Sequence, residues 1–197
     1  MLETDATPYG AKEHFGESDY TSPGENEVWW ACRLGQSTTA LPDGRLIEIG
    51  GEHEDSYDPD FCIYNDVIVH QPDGTADIFG YPESVFPPTD FHSATLVGDW
   101  IYILGRLGYA KGRVPGRCPI FRLSLTDYHM EELRAGGDDP GFIHGHIAAL
   151  IDGSRIRVTS GKAIIRNPQR GRLQPFMTVP LNGDFELDLS SLLWRRL

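Results

Sequence analysis

A chain of 197 residues with 40% hydrophobic and 11% aromatic residues has the composition of a packed globular protein, with room for one sizeable core or two small ones. Its 29 acidic residues against 17 Lys and Arg, a net charge of -12, exclude sequence-independent binding to a nucleic-acid phosphate backbone. No apolar run approaches the ~18 residues a membrane span requires.

The chain opens Met1-Leu2-Glu3-Thr4-Asp5, acidic and without the basic and apolar stretches of a signal peptide. Together with three cysteines (Cys32, Cys62, Cys118) in no CxxC spacing, this gives a reduced, cytoplasmic setting as the expectation. Residues 1–27 show no clear alternation and read as a tail or cap. Trp29-Trp30 reads as the end of an extra N-terminal strand.

From residue 33 the sequence repeats. In the first unit, Gln36–Leu41 is a short strand, Pro42-Asp43-Gly44 a turn, and Arg45–Gly51 a second strand ending in Gly50-Gly51. His92–Val97, Gly98-Asp99 and Trp100–Gly105 follow the same plan, as do His146–Ile151, Asp152-Gly153-Ser154 and Arg155–Gly161. The equivalent ends Gly51, Arg106 and Gly161 are 55 residues apart each time. After a long polar loop, third strands are expected at Tyr64–His70, Ile120–Leu125 and Phe176–Leu181. Weaker fourth strands are expected near Ala76–Gly80, His129–Leu133 and Leu192–Leu197. Each unit is thus expected to be a four-stranded antiparallel meander, with boundaries near 33–88, 89–140 and 141–197.

These residues resemble kelch repeats. His92-Ser93-Ala94 matches the polar opening, Gly50-Gly51 the double glycine and Tyr64-Asn65-Asp66-Val67 the third strand, with Trp30 and Trp194 at the fourth-strand position. The resemblance covers roughly residues 28–197. It departs at Gly105-Arg106 and Ser160-Gly161, and the Tyr-Asn-Asp trio stands in the first unit alone. It implies an all-β fold of kelch-type β-propeller blades: three four-stranded meanders plus an N-terminal strand.

Three blades fall short of the ~4–8 that close a propeller. The expectation is therefore an arc capped by residues 1–30, a homodimer completing a six-bladed ring, or a fragment of a longer protein. Residues 1–60 carry fourteen acids and three bases, and residues 151–197 four acids and eight bases, a polarity that favours head-to-tail attraction.

Several polar residues stand out against this frame. His92 and His146, with Gln36 as the third member, occupy one repeat position and should lie on neighbouring blades near a common rim. His144-Gly145-His146 would place two imidazoles on one side of a strand, a spacing able to ligate a metal or to bond backbone between blades. Arg106, Lys111, Arg113 and Arg117 form one basic loop, and Lys162, Arg166, Arg170 and Arg172 another. Both are expected on the same face, suited to an acidic partner or a small anionic ligand. Glu52-His53-Glu54-Asp55 with Asp58 and Asp60 makes an acidic loop without EF-hand spacing.

No Gly-x-Ser-x-Gly, P-loop or Gly-x-Gly-x-x-Gly occurs, so no catalytic residue, metal site or cofactor is assigned. The leading expectation is a non-catalytic binding scaffold recognising a protein or ligand through the loops of one propeller face. His92, His144, His146, Arg106, Lys162 and Arg166 are its candidate ligand-binding residues. The alternative is an enzyme similar to sugar-acid mutarotases or to metal-dependent kelch enzymes, its site at the channel mouth.

Overall fold

Short runs rich in Ile, Val, Leu and Thr, separated by Asp-Gly, Asn-Gly and Thr-Asp turns, build the chain as strands. The computed structural model describes residues 33–55, 58–169 and 174–197. The tail 1–27, the strand expected at Trp29-Trp30, Cys32, Arg170 and Arg172 lie outside the described residues. The described chain is all-β, in several antiparallel sheets, with one single-turn 3-10 helix at Ala110–Gly112. Among the described residues no helix is long and apolar enough to cross a membrane.

The first meander orders β1 (Ser37–Ala40), β2 (Leu46–Ile49), β5 (Asp66–His70) and β6 (Ala76–Gly80), all antiparallel. Between β2 and β5, the expected loop is a hairpin of β3 (Glu52–Asp55) and β4 (Asp58–Ile63). The second meander is β7 (Ser93–Val97), β8 (Trp100–Leu104), β9 (Ile120–Ser124) and β10 (Met130–Leu133). The turns share one chemistry: the carboxylates of Asp43, Asp73, Asp127 and Asp152 each accept a backbone N–H two residues on.

The third unit departs from the pattern read in the sequence. Its sheet runs β13 (Ile147–Asp152), β14 (Arg155–Thr159), β17 (Phe185–Asp188) and β18 (Leu193–Arg196), with β11 (Gly136–Gly137) added in parallel on the outer edge. The third strand is thus Phe185–Asp188 and not Phe176–Leu181. The latter contains β16 (Phe176–Pro180), which pairs with β15 (Lys162–Arg166) beside β12 (Phe142–His144). Side-chain burial explains the choice. Phe185 and Leu187 go into the core beside Ile156 and Val158, whereas Met177, Thr178 and Pro180 remain exposed.

Two apolar layers hold the meanders face to face. Ile47, Ile49, Val67 and Val69 of the first meet Ile101, Ile103, Phe121 and Leu123 of the second, with Phe86 filling the space between. Tyr102, Leu104 and Ile120, on the other face of the second, meet Ile156, Val158, Phe185, Leu187 and Trp194 of the third. Full burial of each such side chain is worth about 1.5–3 kcal/mol. The Tyr64-Asn65-Asp66 trio has structural partners. Asp66 takes both guanidinium nitrogens of Arg33 (2.5 and 2.9 Å), Arg33 lies over the Tyr64 ring (3.4 Å), and Asn65 Nδ2 donates to the carbonyls of Tyr81 and Phe86.

Candidate recognition site

The sheet-edge strands β1, β7 and β13 lie side by side, and a histidine–serine hydrogen bond joins each neighbouring pair of meanders. His92 Nε2 meets Ser37 Oγ at 2.7 Å, and His146 Nε2 meets Ser93 Oγ at 2.9 Å. Ser37 and Ser93 are themselves repeat equivalents, so each histidine ties its unit to the preceding one. The backbone repeats the tie: Phe91 N–H donates to Gly35 C=O and Gly145 N–H to Phe91 C=O. Gly51 N–H donates to Thr89 C=O and Arg106 N–H to Ile143 C=O in the same way.

Both imidazoles are buried, and loss of hydration pushes His92 down to about 3 and His146 to about 4. They are neutral at physiological pH. His144 and His146 do not share a strand. His144 ends β12, Gly145 turns the chain at φ 58°, and His146 precedes β13. Among the described residues no three His, Cys, Asp or Glu side chains gather as a metal site. In the acidic stretch that begins at Glu52, Glu52 and His53 are buried.

Arg106 is buried, its Nε without a protein partner and its two terminal nitrogens bonded to neighbouring loops. Nη1 donates to Pro88 C=O at 2.8 Å and Nη2 to Gly112 C=O at 3.0 Å, bracing the 3-10 turn. Burial lowers its pKa, opposed by the nearby Asp90 carboxylate. Asp90 is fully buried, and one of its oxygens accepts Gly108 N–H at 2.6 Å. His144 faces Lys162 across the β12–β15 ladder, and its Nε2 is buried without a protein partner. Burial first, then the charges of Lys162 and Arg113, hold the His144 ring below its usual pKa, with Asp90 pulling the other way. Lys162 is exposed, and Arg166 sits at the far end of β15, opposite Phe176. The structure therefore brings His144 and Lys162 together, threads His92 and His146 into a row of ties, and leaves Arg166 apart.

Sequence reasoning missed a cleft of about 200 Å³ between the β6–β7 and β8–β9 loops. Val85, Phe121, Val114 and Phe142 supply apolar walls, with Arg106 and Arg117 beside them. Arg117 pairs with Glu132 at 2.8 Å and Lys111 with Glu83 at 3.9 Å, both in exposed positions. The Pro87-Pro88 pair that stiffens one wall was legible, but no local pattern indicated that the segment folds over the second meander's loop.

No family model matches the chain. Two UDP-N-acetylglucosamine 1-carboxyvinyltransferases are partly similar. The Synechococcus sp. (strain CC9605) protein is 29% identical over 82 residues, 42% of this chain and 19% of that protein. The Parasynechococcus marenigrum (strain WH8102) protein is 31% identical over 75 residues, 38% and 17% respectively. The chain thus spans less than a fifth of the length of these curated relatives. Among solved structures, that of YjhT is similar at 14% identity, with a TM-score of 0.57, over 84% of this chain and 52% of that one. At that identity the likeness is one of fold.

Proposed function

We propose that the chain is a kelch-like recognition scaffold, an arc of three propeller-type blades that binds a protein segment in the cleft beside Arg117. The observation that carries this reading is the disposition of the polar groups. His92 and His146, with Arg106 the residues best suited to catalysis at a channel mouth, spend Nε2 on ties between meanders. Arg106 spends its two terminal nitrogens on loop carbonyls. This leaves His92 Nδ1, His146 Nδ1 and Arg106 Nε buried without a protein partner. The cleft, by contrast, offers apolar walls next to charges that can change partners. Exposed ion pairs such as Arg117–Glu132 are worth no more than about 1 kcal/mol, so an incoming carboxylate displaces Glu132 at little cost. The ligand chemistry that fits is an acidic group adjoining an aliphatic or aromatic side chain.

Amide NMR shifts of the full chain during titration with short acidic-aromatic peptides test this. The shifts are expected at Val85, Gly112, Val114 and Arg117, and are expected to vanish in Val114→Glu, a change at an exposed position. Shifts confined to His144 and Lys162 would refute the cleft as the site.

A second reading, an enzyme, draws on the names of the partial relatives and on the unpartnered His144 Nε2 near Lys162, Arg113 and Asp90. Turnover of UDP-N-acetylglucosamine by the purified chain, lost in His144→Gln, would establish it in place of the first.

A further inference from the structure

The faces that stack one meander on the next can be compared position by position, because β2, β8 and β14 are 55 residues apart and the registers fix their partners. On the first meander, the face turned to the second carries Ile47, Ile49, Val67 and Val69, each fully buried. The corresponding positions on the second, turned to the third, are Tyr102, Leu104, Ile120 and Arg122, the first three buried. On the third they are Arg157, Thr159, Asp184 and Glu186.

The change concerns this face alone. The opposite face of the third meander keeps Ile156, Val158, Phe185, Leu187 and Trp194 in the core. On the open face, Glu186 accepts Arg157 Nη2 at 2.5 Å and Arg155 Nη1 at 3.2 Å, while Arg155 Nη2 also reaches Asp152 at 2.6 Å. Glu186 is 7% exposed and both arginines 41%, so the ladder shields its acid and leaves its cations in water. Cross-strand pairing sets Ala149, Arg157, Glu186 and Arg195 in one row over four strands. Exposed apolar side chains also share this face: Ile147 opposite Thr159, Leu193 opposite Asp188 and Leu197 beside Asp184, on either side of that charged row.

We infer that the third meander is a polar cap, its open face built to stand in water and closed to stacking of a second copy of this chain. Two physical costs enforce this. An apolar meander face laid over the ladder would strip water from three guanidinium and carboxylate groups without offering them partners. Repeat assemblies also require their end units to carry a polar outer face to remain unassociated. A ring of two chains joined here is therefore disfavoured, despite the attraction expected between the acidic residues 1–60 and the basic residues 151–197.

Light scattering on the full chain tests the cap. The variant Arg157→Tyr/Thr159→Leu/Glu186→Val restores residues found at these positions in the other two meanders. It is expected to at least double the particle mass relative to the wild type at equal concentration. No increase would overturn the inference. So would a wild-type dimer that Glu186→Arg splits into single chains, since the ladder would then be the interface. If the triple variant misfolds by circular dichroism, the wild type decides through dicarbonyl labelling read by mass spectrometry. Arg155 and Arg157 are expected to react at one rate across the concentrations scattering covers, and protection of both at high concentration would overturn the cap.

Discussion

His92 and His146 differ from ordinary surface histidines in what protonation costs. Burial strips the water an imidazolium needs, and each ring also feels a histidine neighbour, so their pKa values fall from 6.5 to about 3 and about 4. Above pH 6.5 both are neutral in folded and unfolded chain alike and stability does not depend on them. As pH falls below 6.5 the unfolded chain takes up protons that the folded chain refuses, and stability is lost down to the folded values. At pH 4.5 each ring withdraws about 2–3 kcal/mol. Urea midpoints are expected to drop from pH 7 to 4.5 in the wild type, and His92→Gln to lose about 2–3 kcal/mol less over that interval. Equal loss in both would show that the His92 ring takes up its proton in the folded chain. The sequence marked these two histidines as equivalents, but it could not assign them to Ser37 and Ser93, which lie 55 and 53 residues away.

Elements meet most tightly where glycine permits it. Gly50, at φ 56°, lies so close to the Thr89 carbonyl that a Cβ would run into the oxygen, and Gly105 and Gly161 are similarly crowded by the segment around His146. Gly74, at φ 87° in the β5–β6 turn, has open space around its missing Cβ. Gly74→Ala is expected to cost about 1 kcal/mol, the left-handed backbone penalty alone. Gly50→Ala adds the clash and is expected to cost about 3 kcal/mol or more, read as the difference in thermal midpoint. The strand content of the first two units was legible because apolar alternation and Asp-Gly turns agree there. In the third unit, Phe176–Leu181 and Phe185–Asp188 both look like strands. Only competition for the layer beside Ile156 and Val158 decides which one joins β14.

At the scale of the whole molecule, stability is distributed by neighbours. The second meander is covered on both faces, and Ile101, Ile103, Leu104, Ile120 and Leu123 are at most 1% exposed. The third buries one face and leaves the other to the charge ladder, with Ile147 at 65% exposure. Hydrogen exchange is expected to be slowest at the amides of β8 and β9 and fastest, among the edge strands β1, β7 and β13, in β13. Comparable protection of β13 would mean that its open face is covered in solution.

What the sequence by itself determined is the repeat: its period, its turn chemistry, the meander as the structural unit and the equivalence of the histidines. These are local properties, written in alternation and in residues that tolerate positive φ. The tertiary structure alone decided which apolar segment completes the third sheet, that Arg106 braces its own loop, that a cleft opens beside Arg117, and that one stacking face is charged. Each of these depends on which side of a strand meets which neighbour. Side-chain direction alternates with every residue, so placing a face requires the register, and the register is set by partners far away in the chain.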